Sequence, residues 1–495
     1  MPSPDAATQT ETRPARRRRV RDNPVVPQLL EQPRIGPTPG LPRGPHSLTR
    51  EQVAHNQRLR LQEGMIDAIG EKGYAASTVS DVIKRAGVSR KAFYEHFANK
   101  EECFLATYDS IAAIGEQGVS RAFRRAEGLP DSVQAALGEL FELAIARPEA
   151  LRVLMVEIGA AGPAGVQRRE QLVVRYEEFL RESLGLQPGP GPIPNPILRG
   201  VVGGILHVLY THLRRGDHRQ LRKRLPDLVR WTTAYWPAPA SIMTFVDPTP
   251  RELHLDLSSG AGGWAGGRAP GSLSLGAATS RRRKLPRGEN GMPRSFVVHS
   301  QRERILDAVT TLTASRGYAA LTVEGIAAEA SVSLQAFYEH FGDKEEAFLV
   351  AYEIGHDKAL ALVERAYDAE LDWRYGVRAG ITALFNFLAG EPAFAHMAMI
   401  DVMAASDRTS SRALKGAAPF GQMLAPGLAR GDNGTRPPEV MVHAIAGGLF
   451  ELMLHHALQS RIHELPVIAP RATYFALAPF IGADAAGEVA TAPPA

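Results

Sequence analysis

Apolar side chains recur at intervals of three and four residues along most of the chain, which is the spacing of one face of an α-helix. Near the start, the pattern runs through Leu59, Met65, Ile66 and Ile69 and stops at Gly73, a typical helix terminator. Later segments rich in Ala, Leu, Glu and Arg keep this periodicity, and none shows a convincing strand-like alternation. The sequence therefore predicts an all-α protein.

One part of this pattern occurs twice. Residues 74–97 return almost intact as residues 318–341, at a constant offset and without a gap. The same offset links residues 203–212 with residues 447–456, and each of these segments begins with a pair of glycines. The repeated unit is longer than the roughly 20–50 residue repeats of solenoid proteins. We therefore predict a duplication of whole helical domains.

The repeated segment has the pattern of two short helices joined by a tight turn. Thr78 is placed to cap a helix over 79–85 that ends at Gly87. Ser89 is placed to cap a second helix, which ends near Phe97. Two helices joined by a short turn that contains Gly are typical of a helix-turn-helix motif.

The second helix of the motif has an apolar face and a polar face. Phe93 and Phe97 lie close in angle on it and are predicted to be core residues, as are Phe337 and Phe341 in the second copy. The outward set is Arg90, Lys91, Tyr94 and Glu95. A helix that exposes Arg and Lys near its N-terminus is suited to the major groove of DNA, where these side chains reach guanine and phosphate.

The motif combines four short runs: Thr78-Val79, Ala86-Gly87-Val88-Ser89, Phe93-Tyr94-Glu95-His96-Phe97 and Asn99-Lys100-Glu101-Glu102. Together they resemble the DNA-binding domain of the TetR family of transcriptional regulators. The resemblance implies a three-helix N-terminal DNA-binding domain, a connecting helix and an all-helical C-terminal domain for ligand binding and dimerisation. Because the motif occurs twice, we expect two TetR-like modules in tandem.

The resemblance also implies roles for particular residues. Phosphate contacts fall to Thr78, Tyr94 and Lys100, base reading falls to Ser89, Arg90 and Lys91, and His96 lies close to the DNA backbone. In the second copy the same roles fall to Thr322, Tyr338, Lys344, Ser333, Leu334, Gln335 and His340. For Tyr94 and Tyr338, packing is the alternative role.

The two copies differ where the motif would face DNA. Arg90 and Lys91 are replaced by Leu334 and Gln335. Gln pairs with adenine and Leu touches a thymine methyl group, whereas Arg and Lys favour guanine and phosphate. The loss of two cations also lowers the salt-dependent share of DNA affinity. We therefore predict two unequal half-sites, or a second reader that binds DNA weakly.

Composition adds the domain boundaries and the compartment. We predict a tail over 1–47, DNA-binding domains over 48–110 and 294–354, helical domains over 111–236 and 355–483, a Gly/Pro/Ser-rich linker over 237–293, and a tail over 484–495. The basic runs 16–19 and 281–284 suit either nucleic-acid arms or solvated segments. With a net charge of +4, a single cysteine (Cys103), no secretory signal and no apolar run of about 18 residues, a cytoplasmic protein is expected.

The helical domains are expected to carry dimerisation and effector binding. By resemblance, the segments that begin at Gly203 and Gly447 belong to the helix that forms a four-helix dimer interface. Candidate pocket residues are Met155, His207, Tyr210, Phe394, His396, Met397, Met399 and His443, for which an ordinary core role is the alternative. An apolar small-molecule effector is expected, and no metal or cofactor is predicted, since the adjacent His455 and His456 cannot share a helix face.

The sequence leaves open two modes of pairing and three classes of function. The linker has a typical span of about 40 Å, comparable to the spacing of about 34–36 Å between paired readers. Pairing of the two halves within one chain is therefore favoured over a homodimer. A ligand-responsive repressor that binds double-stranded DNA is the favoured function. A scaffold whose second motif no longer binds DNA is the alternative, and an enzyme is not expected, because no catalytic motif occurs.

Overall fold

A computed structural model describes residues 48–183, 195–243, 294–405, 408–409, 412, 421–429 and 437–493. Every regular element within these ranges is a helix, which confirms the all-α prediction. The basic runs and most of the predicted linker lie outside the described residues.

The first half of the chain contains ten described α-helices. They are α1 (Arg50–Ala76), α2 (Val79–Ala86), α3 (Arg90–His96), α4 (Lys100–Arg125), α5 (Leu129–Ala146), α6 (Pro148–Met155), α7 (Gly162–Ser183), α8 (Asn195–Arg215), α9 (Leu221–Thr233) and α10 (Ala240–Met243). Helices α1 to α3 form the small N-terminal domain, and α4 connects it to the larger helical domain.

The second half repeats this order. Its described α-helices are α11 (Arg294–Arg316), α12 (Val323–Ala330), α13 (Leu334–His340), α14 (Lys344–Asp368), α15 (Trp373–Gly390), α16 (Pro392–His396), α17 (Val402–Ala405), α18 (Ala425–Ala429), α19 (Val440–Leu458), α20 (Leu465–Ile481) and α21 (Ala483–Thr491). A π-helical turn over Met397–Asp401 joins α16 to α17.

The helix ends follow the signals in the sequence. Thr49 and Gln52 form a capping box at the start of α1, so each side chain satisfies a backbone N–H of the other. Gly73 and Gly317 have φ angles of 75° and 78°, which a residue with a Cβ adopts only at a cost. Gly73 interrupts α1 near its C-terminal end, and Gly317 follows the end of α11. Local chemistry therefore explains these boundaries.

The duplication extends to ion pairs inside each half. Arg168 on α7 donates to Asp109 on α4, and at the same offset Arg412 donates to Glu353 on α14 at 2.8 Å. Each pair links the connecting helix of its copy to a later part of the same helical domain. The two copies therefore share tertiary contacts as well as sequence.

The two halves meet where α8 packs against α19. A Cβ added to Gly204 would lie 2.5 Å from the carbonyl oxygen of Ala444, and a Cβ on Gly448 would overlap the carbonyl oxygen of Gly200. These two contacts are equivalent, because each joins the same two positions of the repeat with the copies exchanged. The glycines thus allow a close approach of the helix backbones that alanine would block.

Aromatic side chains fill the space beside this crossing. The ring of Tyr235, just after α9, stacks on Phe475 of α20 with centroids 5.1 Å apart. The Tyr235 hydroxyl donates to the carbonyl oxygen of Phe475 at 3.0 Å, and Trp231 lies edge-on to the same ring. Helices α8 and α9 of one half and α19 and α20 of the other therefore share one apolar core.

The segments predicted as linker and as C-terminal tail each contain a described helix. Within the range predicted as linker, α10 places Ile242 in the core, where it packs against Gly487 of α21. Helix α21 itself lies in the range predicted as the C-terminal tail, and it buries Ala486 and Val489. These helices are short and contain Ala, Gly or Ser, so their sequences show no clear helical pattern. They are stabilised by packing against each other.

One described helix has the length and mean hydropathy of a membrane span, although a charged side chain and three histidines interrupt its apolar residues. It is Val440–Leu458, with a mean hydropathy of 1.2 over 18 residues, 61% of which are buried inside the protein. It is α19, the central helix of the contact between the halves. Its apolar character is therefore explained by burial against α8.

Candidate nucleic-acid interface

The first helix-turn-helix is held by caps at both helices. Thr78 accepts a hydrogen bond from the N–H of Asp81 at 3.2 Å, and Ser89 accepts one from the N–H of Ala92 at 3.1 Å. Gly87 ends α2 in the left-handed conformation, with φ of 58°. The two predicted phosphate- and base-contacting hydroxyls thus act as N-caps, which places them beside the exposed N–H groups of two helix N-termini.

Helix α3 has one buried and one exposed face. Phe93 and Phe97 are 0% and 1% exposed, which confirms their predicted core role. On the opposite face Tyr94 is 51% exposed, and Arg90 and Lys91 are exposed at the N-terminal end. Arg90 donates to the hydroxyl of Ser80 at 3.2 Å, and Lys91 lies 3.9 Å from Glu95. Exposed contacts of this kind contribute little stability, so both cations remain available to an anionic partner.

Lys100 and His96 are engaged inside the domain. The Lys100 ammonium donates to the carbonyl oxygens of Tyr74 and Ser77 at 2.9 and 3.0 Å and lies 4.1 Å from the centre of the Tyr74 ring. Burial lowers the pKa of this ammonium. The His96 ring lies 3.2 Å from the Gln57 side-chain oxygen, and burial, followed by the charge of Arg58, lowers its pKa. The structure gives both side chains a role in joining α3 and α4 to α1.

The second motif repeats the frame of the first. Thr322 and Ser333 cap α12 and α13 by accepting from the N–H groups of Gly325 and Ala336, each at 3.1 Å. Lys344 donates to the carbonyl oxygen of Leu321 at 2.7 Å. Phe337 and Phe341 are 0% and 3% exposed, as predicted for core residues. The Nε2 atom of His340 is buried and has no hydrogen-bond partner among the described residues.

The exposed face of α13 lacks the cations of α3. Leu334 and Tyr338 are 44% and 58% exposed, and Gln335 donates to Glu339 at 3.2 Å. The turn before the helix also differs, because Ser331 holds the left-handed conformation (φ 53°) that Gly87 provides in the first copy. The two candidate readers are therefore alike in backbone and unlike in surface chemistry.

Each DNA-binding domain is joined to its helical domain by a carboxylate that sequence reasoning missed. Glu157 accepts a hydrogen bond from the N–H of Tyr74 at 2.9 Å, and Asp401 accepts one from the N–H of Tyr318 at 2.8 Å. Arg152 pairs with Glu157 at 3.1 Å, and at the equivalent positions His396 pairs with Asp401 at 3.0 Å. The recurrence of an acid at the repeat offset was the available signal.

Five of the eight candidate pocket residues line two of three spaces in the described structure. Phe394 and Met399 line an apolar cavity of about 130 Å³ in the second helical domain, together with Tyr352 and Met423. A cavity of about 60 Å³ in the first helical domain contains none of the candidates. Met155, His207, Tyr210 and Met399 line a larger cleft of about 690 Å³ where the two halves meet. The structure does not bring His396, Met397 or His443 to any of these spaces.

Comparison with known proteins gives the following matches. A sequence profile of the family described as "Bacterial regulatory proteins, tetR family" matches residues 66–107 and 305–351. The HTH-type transcriptional activator FasR of Mycolicibacterium smegmatis (strain ATCC 700084 / mc(2)155) is 32% identical over 114 residues, which are 23% of this chain and 52% of FasR. The uncharacterized HTH-type transcriptional regulator YxbF of Bacillus subtilis (strain 168) is 44% identical over 46 residues, which are 9% of this chain and 12% of YxbF. The chain thus spans about half the length of FasR and a smaller part of YxbF.

A crystal structure of a TetR family transcription regulator from Marinobacter aquaeolei VT8 has a TM-score of 0.30 and 21% identity, over 36% of this chain and 94% of that chain.

The two capped helix pairs, each with a buried and an exposed face on the second helix, define a helix-turn-helix protein. Both matched ranges of the family profile fall on these motifs. The chain therefore carries two domains that match the DNA-binding domain of the tetR family, one in each half. The relatives FasR and YxbF are named as transcriptional regulators, and neither is named as an enzyme.

Proposed function

We propose that this protein is a transcriptional regulator that binds specific sites in double-stranded DNA through two unlike readers on one chain. The observation that carries the proposal is the exposure of Arg90, Lys91 and Tyr94 on the face of α3 opposite the buried Phe93 and Phe97. A rigid helix with cations at its exposed N-terminal end suits phosphate contact and guanine recognition in the major groove.

The second reader is proposed to prefer a different half-site. Leu334 and Gln335 stand where the first reader has Arg90 and Lys91, and their exposed side chains suit thymine methyl and adenine contacts. Because α13 lacks the two cations, its share of binding depends less on salt. The proposed operator is therefore asymmetric.

The two halves are proposed to pair within one chain as a pseudo-dimer. The contacts of Gly204 with Ala444 and of Gly448 with Gly200 support this pairing. In a two-fold interface each contact recurs with the two partners interchanged, and these two contacts are related in that way. Pairing within the chain would present both readers on one face, as helix-turn-helix dimers do. A solution mass of one chain would agree with this pairing, and an obligate two-chain mass would contradict it.

An apolar small molecule is the proposed effector, and the cytoplasm is the proposed location. The cavity in the second helical domain supports the first point, since its walls are almost wholly apolar and include the Phe394 and Met399 side chains. Repression is the proposed sign of regulation, because a protein that covers an operator with two readers excludes other proteins from it. The relative FasR is named an activator, so a promoter reporter with and without the protein decides the sign.

The test is to exchange the surface residues of the two readers. The Arg90→Leu/Lys91→Gln variant should bind DNA more weakly, and its slope of log affinity against log salt should fall by up to about 1.8, at about 0.9 for each lost phosphate contact. The reciprocal Leu334→Arg/Gln335→Lys variant should steepen the slope and shift the preferred sequence of one half-site.

The control removes the same charge elsewhere. Arg121 and Arg124 are exposed on α4, and Arg121 lies about 30 Å along that helix from Lys100. The Arg121→Gln/Arg124→Gln variant should keep the slope and the site preference. If the reader variants bind DNA like this control, the chain is better described as a scaffold.

A further inference from the structure

A cluster of charged side chains is buried on one side of the contact between the halves. Helices α7 and α8 contribute Arg169, Glu170, Glu177 and Arg199 from the first half, and α19 contributes Glu451 and His455 from the second. Arg199 and Glu451 have side chains that are only 6% and 1% exposed. These are core charges, for which a missing partner is costly.

Three contacts of the cluster cross between the halves. Arg169 holds both carboxylate oxygens of Glu451, at 2.6 and 3.3 Å. Arg199 lies 3.8 Å from the same carboxylate, and His455 lies 2.8 Å from Glu170. Within the first half, Arg199 is also held by Glu177, at 2.8 and 2.9 Å, and by Glu170, at 2.9 and 3.1 Å. Among the described residues of the second half, Glu451 is therefore the carboxylate that faces both arginines of the first.

The opposite side of the contact has different chemistry. At the positions equivalent to Glu451 and Arg199 stand His207 and His443, and burial lowers the pKa of both imidazoles, that of His207 to about 4. In sequence, Ala413 stands where Arg169 would have its equivalent, outside the described residues. The backbone contacts of the two halves are reciprocal, whereas among the described residues these ion pairs occur on one side of the contact.

Because the ion pairs lie on one side of the contact, they determine which helices can pair without losing a charged partner. If α8 met a second copy of α8, His207 would take the place of Glu451, and Arg169 would lose its carboxylate on both sides. If α19 met a second copy of α19, two buried Glu451 carboxylates would lack the arginines that hold them. In the first self-pairing Arg169 would lack the carboxylate that holds it, and in the second the buried Glu451 would lack its arginines. Only the pairing of unlike halves brings these partners together.

We infer that the cluster around Glu451 is the selectivity device of this interface, which accepts the other half of the duplicated chain and rejects a copy of itself. The inference rests on the proposed pseudo-dimer and goes further, because it names the residues that exclude the symmetric alternatives. It also fixes which reader stands on which side, so the chain addresses its proposed operator in one orientation.

The test begins with the folded full chain, carrying an inserted site for a sequence-specific protease within residues 258–267. After cleavage the halves are incubated until the distribution of masses stops changing, and native mass spectrometry counts mixed and like pairs, which differ in mass. The discriminating variant is Arg169→Met/Glu451→Gln, which removes the charges of both partners and leaves no unpaired ion. The control is Arg168→Gln, which breaks a neighbouring ion pair inside the first half.

The cleaved natural chain and the control should remain almost wholly as mixed pairs. In the double variant the mixed fraction should fall clearly below that of the natural chain, towards the statistical value of about one half, because only the His455–Glu170 contact still favours the mixed pair. A double variant that stays fully mixed, a natural chain that reassorts into like pairs, or halves that separate after cleavage would each overturn the inference. The uncut chain is weighed and titrated with DNA in parallel, so a two-chain mass or absent DNA binding would count against the proposed function separately.

Discussion

Glu157 accepts a hydrogen bond from the backbone N–H of Tyr74, 2.9 Å away, and so ties the end of helix α1 to the first helical domain. The residue at the equivalent position of the second copy, Asp401, makes the same bond to Tyr318. The bond is made to the backbone that leads into α2, so it fixes the position of the first reader relative to its helical domain.

The joint can be tested by removing its acceptor. Glu157→Ala leaves the Tyr74 N–H and the Arg152 guanidinium without their carboxylate, and we expect a loss of about 2–3 kcal/mol in the free energy of unfolding. The Tyr74 amide should also exchange its hydrogen faster. The exposed Glu127 serves as the control. If the Tyr74 amide is equally protected from hydrogen exchange in Glu157→Ala, the hydrogen bond does not stabilise the folded protein in solution.

The turn of the second motif is expected to be strained. Ser331 has a φ of 53°, in the left-handed region that favours glycine, and Gly87 holds the same place in the first motif. Ser331→Gly should therefore raise the free energy of unfolding by about 1 kcal/mol, and Gly87→Ser should lower it by a similar amount. Chemical denaturation of the two variants measures both. Changes of the same sign in both would contradict the expectation.

The glycines at the crossing of α8 and α19 should not tolerate a methyl group. Gly204→Ala and Gly448→Ala each place a Cβ against a backbone carbonyl of the opposite helix. We expect each to cost about 2–3 kcal/mol, because backbone cannot move aside as a side chain does. Gly390→Ala is the matched control, since a Cβ there meets nothing within 4 Å. The melting temperatures of the three variants provide the measurement. Equal melting temperatures for all three would refute this account of the contact.

Glu391 should make stability depend on pH. Burial, and then the charge of Asp307, raises the pKa of its carboxyl to about 7 from an ordinary 4.5, although Lys358 opposes the shift. The folded state therefore holds a proton that the unfolded chain releases, and stability falls as the pH rises from 4.5 to about 7. In the first copy the equivalent pair is attractive, with Arg147 2.9 Å from Glu63.

Two substitutions of Glu391 test whether its titration causes this pH dependence. At pH 8 Glu391→Gln should stabilise the protein by about 1–2 kcal/mol, allowing for solvent screening, and the gain should vanish near pH 4. Glu391→Arg should stabilise it as well, by pairing with Asp307 as the first copy pairs. Glu329→Gln, at an exposed position, is the control. Denaturation midpoints across this pH range provide the measurement, and an equal gain at pH 4 and pH 8 would exclude titration as the cause.

The predictable part of this fold is the part that local chemistry determines. Thr78, Gly87 and Ser89 act through their own caps and dihedral angles, so the motif could be recognised without the rest of the chain. The burial of Phe93 and the exposure of Tyr94 follow from helical periodicity alone.

The unpredicted part depends on helices that are far apart in sequence. The sequence shows Lys100 as a phosphate-binding candidate, but only the folded structure shows that its ammonium holds two carbonyl oxygens of the first helix and loop. Arg199 and Glu451 read as ordinary helix-surface charges until α8 and α19 pack together. Charge pairing across a tertiary contact has no local signal, so composition and periodicity cannot reveal it.

The packing of two different helices at the centre of this molecule has an evolutionary consequence. In a homodimer every interface substitution appears twice, on both sides of the axis, so a new charge meets its own image. Here a change on α8 faces an unchanged α19. Because the two halves belong to one chain, each side of the contact can change on its own, and a carboxylate can stand on one side with an imidazole at the equivalent position of the other.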